Sequence, residues 1–155
     1  FYGYRGGGVD YFLHGGTKPD FWADDTPIQQ EGYLTDLLGN RAVKEINGYA
    51  KSRKPFFISL HFNAPHYPWE GPDDEQEAKR LTSLFHTDGG SQKTYAEMVQ
   101  SLDVNIGRVL QALEARGLTR DTIVVFTSDN GGIESLKNAY VGNVGDSPLN
   151  SENAN

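Results

Sequence analysis

The most regular pattern of apolar and polar positions lies at residues 94–116. Apolar side chains recur there every three or four positions, which places them on one face of a helix. That face comprises Tyr95, Met98, Val99, Leu102, Ile106, Val109, Leu110 and Leu113. Gly117 follows where a helix C-terminus favours a left-handed residue, so we predict that the helix ends at residue 116.

A second helical pattern spans residues 35–50. Thr35 is a suitable N-cap, and the apolar stripe behind it consists of Leu37, Leu38, Ala42, Ile46 and Tyr49. Acidic residues at 73–75 open a short helix that we predict over 73–85, before a polar break at 86–92.

Two apolar runs predict buried strands, FFISLHFN at residues 56–63 and TIVVFT at 122–127. The order helix, strand, long loop, helix, strand is typical of an α/β three-layer sandwich with a mostly parallel sheet. The α/β core is expected over 33–132, between an irregular loop region at 1–32, with room for one short strand, and an irregular tail at 133–155.

Composition narrows the function classes. Lys and Arg total 14 against 21 Asp and Glu, so the net charge of −7 argues against nucleic-acid binding. Apolar runs are too short for a membrane span, and the absence of cysteine excludes thiolate chemistry from these 155 residues. Without an initiator Met or a signal-peptide pattern, the chain is expected to be a processed product or an internal fragment of one domain.

The second predicted strand runs into SDNGG, which offers two oxygen ligands. The carboxylate of Asp129 and the amide oxygen of Asn130 are hard donors that suit Ca²⁺ or Mg²⁺. Ligands of parallel sheets bind beyond the carboxyl ends of the strands, where this pair is predicted to lie. The alternative is a simple Asx turn that closes the strand.

The first predicted strand runs into APHYP, where Pro65 and Pro68 flank His66. A stiff loop can hold an imidazole against an anion or a leaving group, although a loop histidine bonded to backbone is an equal alternative. His61 is expected to be a packed or edge residue, and His14 and His86 to be surface residues. Asp103 is expected at the solvated border of its helix.

These residues together predict metal-assisted chemistry on an anionic substrate, with only part of the site in this chain. Phosphate loops, G-x-G-x-x-G, G-x-S-x-G and H-E-x-x-H motifs do not occur in the sequence.

Five ordered blocks over residues 1 to about 132 resemble the arylsulfatase-type sulfatases. They are FYGY…DYF, YLTD, KPFFISLHFNAPHYPWEGP, YAEMVQSLDVNIGRVL and GLTRDTIVVFTSDNGG. The resemblance implies an alkaline-phosphatase-like fold and hydrolysis of the sulfuric ester of a sugar or aryl alcohol. It implies that Asp129 and Asn130 bind Ca²⁺ and that His66 contacts the sulfate and protonates the leaving oxygen.

Other parts of the family pattern are missing from this sequence. The family's formylglycine arises in a C/S-x-P-S-R motif, which is expected upstream together with a pair of metal-binding aspartates and a G-K-W-H segment. Lys137 lacks the G-K-G context of the family's substrate-binding lysine. We therefore expect an incomplete fold with exposed sheet edges and an isolated chain that does not turn over sulfate esters.

Several alternatives remain open at this stage. A phosphodiesterase or phosphomutase of the same superfamily would favour histidine at the position of Asn130, whereas a phosphonate monoester hydrolase shares much of the pattern. A non-catalytic module that binds sulfated glycans is a third alternative. Trp22, Tyr67 and Trp69 suit either stacking on a substrate ring or core packing. The oligomeric state is not predicted, and the resemblance alone suggests an exported protein.

Overall fold

The computed structural model describes residues 1–15, 18, 20–52, 54–81 and 91–130. Along the chain come the strands β1 (Tyr2–Gly3), β2 (Trp22–Ala23) and β3 (Thr26–Pro27), and the helices α1 (Leu34–Ser52), α2 (Glu75–Arg80) and α3 (Gln92–Ala115). A single turn of 3-10 helix follows at Thr119–Asp121.

The two long helices confirm the helical patterns in the sequence. Ser91 caps α3, because its side chain accepts a hydrogen bond from the backbone N–H of Thr94 at 3.0 Å. Gly117 ends the helix with φ +66°, as predicted. The N–H of Leu118 then donates to the carbonyl of Leu113 at 2.9 Å, which is the bond of a Schellman motif. In α1 the predicted N-cap Thr35 is instead a buried residue of the first turn.

The buried face of α3 differs from the predicted apolar face. Thr94, Ser101 and Asn105 are buried together with Met98 and Leu113, whereas Val99 and Leu110 are exposed. A polar contact thus occupies the centre of the helix pair. The hydrophobic pattern predicted the position of the helix correctly, but it predicted a different buried face. The reason is that several of the buried residues are polar and do not contribute to an apolar pattern.

The N-terminal region forms more structure than was predicted. β1, β2 and β3 make a small antiparallel sheet in which Tyr2 lies opposite Ala23 and Trp22 lies opposite Pro27. Val9, Tyr11 and Phe21 from this region are almost fully buried and join Leu34, Trp69 and Met98 in the main core. A second, smaller core cluster is built from Ile46, Ala112 and Leu113.

The two predicted buried strands do not pair within the described ranges. Along residues 56–62 half-buried and exposed positions alternate: Phe56 and Ile58 pack on the second core cluster, whereas Phe57 is 89% exposed. The prediction of burial is wrong for the second run, which leaves Ile123, Val124, Val125 and Phe126 exposed. The described strands therefore form only an antiparallel sheet, and they do not establish the parallel sheet.

The helix predicted over 73–85 is shorter than expected, since α2 covers only Glu75–Arg80 and Leu81 is already extended. The predicted break at 86–90 and the tail at 133–155 lie outside the described residues. Of the helices that the structure does describe, none combines the length and apolar character needed to cross a membrane.

Candidate active site

The loop at residues 63–68 presents His66 to solvent. The backbone N–H of His66 donates to the carbonyl of Asn63 at 2.8 Å, which closes a tight turn. The ring atom Nδ1 lies 2.6 Å from the carbonyl oxygen of Tyr67. Because a carbonyl oxygen only accepts, Nδ1 must carry the proton, and Nε2 is the ring atom that can meet a ligand. The ring is thus oriented by its own loop.

Two tyrosines of the N-terminal region hold this loop. The hydroxyl of Tyr11 donates to the carbonyl of His66 at 2.9 Å, and the hydroxyl of Tyr4 donates to Oδ1 of Asn63 at 3.0 Å. Burial raises the pKa of Tyr11 well above its ordinary value, with a further contribution from nearby Tyr33, so the phenol stays protonated and keeps donating. Sequence reasoning missed both residues, because they lie in an aperiodic segment whose aromatic content was the available signal.

The end of the loop is fixed in the same way. The buried Glu70 accepts a hydrogen bond from the backbone N–H of Tyr11 through Oε2 at 2.9 Å. Its carbonyl accepts another from the hydroxyl of Tyr33 at 2.8 Å. The rings of Tyr11 and Tyr33 stack with their centroids 5.3 Å apart. Residues 63–70 are therefore tied to the core at several points along their length.

Asp129 and Asn130 lie in an exposed bend after residue 128. The backbone N–H of Asn130 donates to Oδ1 of Asp129 at 2.9 Å, and the hydroxyl of Ser128 donates to the carbonyl of Asn130. Both bonds are local to the bend, but neither is the bond to the backbone N–H two residues on that defines an Asx turn. A carboxylate and an amide oxygen nevertheless fit a hard cation in their chemistry. Among the described residues, no group of three or more His, Cys, Asp and Glu side chains is arranged to hold a metal.

Tyr4 connects the two predicted parts of the site. Burial raises the pKa of its hydroxyl, and the negative charges of Asp129 and then Asp20 raise it further. The same hydroxyl bonds to Asn63 at the start of the His66 loop. Tyr4 is thus hydrogen-bonded to the His66 loop, whereas its link to Asp129 is an electrostatic one.

Asp20 is occupied by structural hydrogen bonds. Its carboxylate accepts from the backbone N–H of Gly6 at 2.6 Å and from the indole N–H of Trp22 at 2.7 Å. Burial raises the pKa of Asp20, but these bonds and the backbone N–H of Arg5 outweigh that effect, and the pKa lies below its ordinary value. The group stays ionised and holds the turn at Arg5 and Gly6.

The aromatic residues considered for stacking on a substrate ring are engaged in contacts within the protein. Trp69 is only 5% exposed and belongs to the main core, which favours packing over stacking on a substrate. The guanidinium of Arg5 lies 4.2 Å from the ring centroid of Trp22. Tyr67 meets Trp69 edge-on at 5.5 Å between centroids.

The predictions for the other histidines are confirmed only in part. The prediction that His14 lies at the surface is wrong, because the residue is buried and its Nε2–H donates to the carbonyl of Gly32 at 2.9 Å. His61 is exposed and bonds to the hydroxyl of Ser59 at 2.7 Å, as an edge residue would. His86 lies outside the described residues, and Asp103 is exposed, as predicted.

With this geometry in view, the sequence model of the family described as Sulfatase matches residues 1–153. The chain belongs to the sulfatase family. A sulfatase of Formosa agariphila is 36% identical to it over 128 residues, which cover 76% of this chain and 21% of the relative. The uncharacterized sulfatase YdeN of Escherichia coli is 29% identical over 133 residues, or 86% of this chain and 22% of the relative.

A solved structure has a similar backbone. The crystal structure of Ps i-CgsB aligns with a TM-score of 0.59 at 25% identity, over 76% of this chain and 29% of that protein. The same protein has been solved in complex with k-i-k-neocarrahexaose. The sulfatase chain described here thus spans between a fifth and a third of the length of these relatives.

Proposed function

We propose that the full-length protein hydrolyses the sulfuric ester of a sulfated glycan, and that this chain supplies one part of the active site. In the reaction the ester S–O bond breaks, the alcohol leaves with a proton, and water supplies the new oxygen of sulfate. The observation that carries the proposal is the sulfatase family match over residues 1–153, together with the outward-facing His66 on its braced loop.

His66 is proposed to act on the sulfate through Nε2. With Nδ1–H bonded to Tyr67, a protonated ring presents Nε2–H as a donor to a sulfate oxygen or to the leaving oxygen. The carbonyl of His66 and the N–H of His66 are both bonded to the scaffold, so the ring needs little reorganisation during the reaction.

Asp129 and Asn130 are proposed to hold the divalent cation, Ca²⁺ in the first instance and Mg²⁺ as the alternative. When bound, such an ion neutralises negative charge on sulfate oxygens. Both side chains are exposed, and Oδ1 of Asp129 would exchange its local bond for the cation. A formylglycine would supply the nucleophile, and none of these 155 residues lies in the motif that yields it.

The cation assignment is testable by calcium titration calorimetry of the full-length protein. Asp129→Asn should weaken calcium binding by about tenfold or more, because it removes a charged oxygen ligand. Asp121→Asn is the matched control, since Asp121 is an exposed aspartate in the 3-10 turn just before the same segment. Equal calcium affinity in the Asp129→Asn variant and the wild type would remove Asp129 from the site.

The parallel sheet is also a proposal for the complete domain. The alternating exposure of residues 56–62 and the apolar run at 122–127 suit two strands that gain their partners there. Ligands bind beyond the carboxyl ends of such strands, and His66 and Asp129 follow these two runs.

A sulfated glycan is the proposed substrate class. The family match supports a sulfuric ester, and the complex of the neighbour Ps i-CgsB with k-i-k-neocarrahexaose supports a sugar as the group that carries it. The test is sulfate release by the full-length protein from sulfated oligosaccharides, compared with phosphate and phosphonate esters. Faster turnover of a phosphonate ester would contradict the proposal. Tight oligosaccharide binding without sulfate release would indicate the non-catalytic module instead.

A further inference from the structure

Tyr4 joins the N-terminal region to the loop of the candidate site. It follows β1 in the chain, its ring packs against the main core, and its hydroxyl donates to Oδ1 of Asn63 at 3.0 Å. Asn63 is itself buried and begins the loop that presents His66. The hydroxyl thus makes a contact 59 residues distant in sequence at the base of the catalytic loop.

The hydroxyl of Tyr4 is a hydrogen-bond donor. Burial raises the pKa of this phenol above the ordinary value of 10.0, so it is protonated near neutral pH. The carboxylate of Asp20 is already occupied by Gly6 and Trp22. The proton of Tyr4 is directed to the neutral amide of Asn63.

Asn63 passes this constraint to His66. Its side chain is held by Tyr4, while its carbonyl accepts the backbone N–H of His66 at 2.8 Å. The bonds at Oδ1 and at the backbone carbonyl tie the side chain of this buried residue to the turn that follows it. Without the hydroxyl, Oδ1 of Asn63 would be a buried acceptor with a lost partner.

We propose that Tyr4 is a positioning residue for sulfate-ester hydrolysis, whose hydroxyl acts through Asn63 to fix the backbone from which His66 faces the substrate. This inference rests on the proposed function. Tyr4 makes its contribution without touching the substrate. Tyr11 holds the opposite end of the same turn through the carbonyl of His66, but its full burial makes it a less selective residue to change.

The test compares Tyr4→Phe with Tyr2→Phe in the full-length protein. Both variants lose one hydroxyl hydrogen bond, but that of Tyr2 goes to Oε1 of the exposed Gln30 at 2.6 Å, away from the His66 loop. Tyr4→Phe should lower kcat for sulfate release about tenfold with little change in KM. The reason is that the hydroxyl positions His66 for the reaction and does not contribute to substrate binding. Tyr2→Phe should keep both constants. A wild-type kcat in Tyr4→Phe overturns the proposal.

A double-mutant cycle tests whether Tyr4 acts through Asn63. Asn63→Ala should lower kcat by a similar factor, and the double variant should be no slower than the slower single variant. Multiplicative losses would mean that the two residues act independently, which contradicts the proposal. If Tyr4→Phe does not fold, Asn63→Ala examines the same contact from the other side, and a wild-type kcat there is equally contradictory.

Hydrogen exchange separates this inference from the proposed function. The backbone amide of His66 should exchange faster in Tyr4→Phe than in the wild type, with no such change in Tyr2→Phe. A wild-type protein that releases no sulfate would refute the proposed function, while the exchange result would still show whether Tyr4 holds the loop. Unchanged exchange in Tyr4→Phe would refute the positioning contact itself.

Discussion

The side-chain amide of Asn105 in α3 lies directly against the backbone of Gly39 in α1. Asn105 is fully buried, and its Nδ2 donates to Oδ1 of Asp36 at 2.7 Å and to the carbonyl of Ser101 at 3.0 Å. A Cβ atom on Gly39 would overlap with Oδ1 of Asn105. The closest approach of the two long helices therefore depends on one residue without a side chain and one buried amide.

Gly39→Ala should destabilise the fold by about 1–3 kcal/mol, because the added methyl group forces the helices apart or the amide out of its bonds. Gly48→Ala is the control in the same helix, since a Cβ there meets nothing within 4 Å. That control should be neutral or stabilising by about 0.5–1 kcal/mol through helix propensity. Urea unfolding of both variants measures the difference.

A second comparison shows whether the overlap with Asn105 is the cause. Asn105→Ala alone should destabilise, because it removes the hydrogen bond to Asp36 and the one that Arg108 donates to Oδ1 of Asn105. In that background, however, Gly39→Ala should cost clearly less than it does in the wild type. Additive losses in the free energy of unfolding would show that some other contact of residue 39 matters.

The pair of helices α1 and α3 shows which parts of the fold could be predicted from the sequence. Apolar periodicity and the terminal Gly117 were sufficient to place α3 within two residues at its N-terminus and one at its C-terminus. The buried face of α3 was not predictable in this way. An asparagine such as Asn105 is expected to be exposed to solvent, and only the structure shows that it contacts Asp36 and Gly39. Apolar periodicity identifies buried apolar residues, but it does not identify a buried amide whose hydrogen bonds are satisfied.

The candidate site shows the same division. His66, Asp129 and Asn130 were chosen from motifs at the ends of apolar runs, and they remain predictions with supporting geometry. Tyr4 and Tyr11, which hold the His66 loop, come from a segment without periodicity. Their contacts span more than 50 residues of sequence, and no local pattern encodes such a distance.

His14 should make stability depend on pH below neutrality. Burial lowers its pKa from the ordinary value of 6.5, so the unfolded chain takes up a proton before the folded one does. Neutral His14 therefore makes its full contribution to the free energy of unfolding above pH 6.5. That contribution is lost as the pH falls towards the pKa of His14 in the folded chain, at up to about 1.4 kcal/mol per pH unit.

The variant His14→Asn tests this pH dependence. Asparagine tolerates the positive φ of +50° at this position and does not titrate, so the slope of stability between pH 6.5 and 5 should become shallower. His61→Asn is the control, which removes an exposed histidine instead of the buried one. Urea unfolding at several pH values gives the slopes, and an equal slope in His14→Asn and wild type would contradict the assignment.

The exposed apolar run at 122–127 should make the isolated 155-residue chain self-associate. Ile123 and Val125 are 92% and 80% exposed, so replacing both with lysine should not harm the fold. The double variant should associate about tenfold more weakly, as measured by sedimentation. Val104→Lys, at a 54% exposed valine in α3, is the control and should associate like the wild type. A monomeric wild-type chain at high concentration would contradict this prediction.

The most direct test of the central claim is sulfate release by the full-length protein with His66→Ala beside His61→Ala. Both histidines are exposed and lie five positions apart, but only His66 has its ring oriented by the carbonyl of Tyr67. We predict that His66→Ala lowers kcat by about 10²- to 10⁴-fold, as expected for loss of a positioned proton donor, while His61→Ala keeps wild-type turnover. A His66→Ala protein that releases sulfate at the wild-type rate would contradict the account.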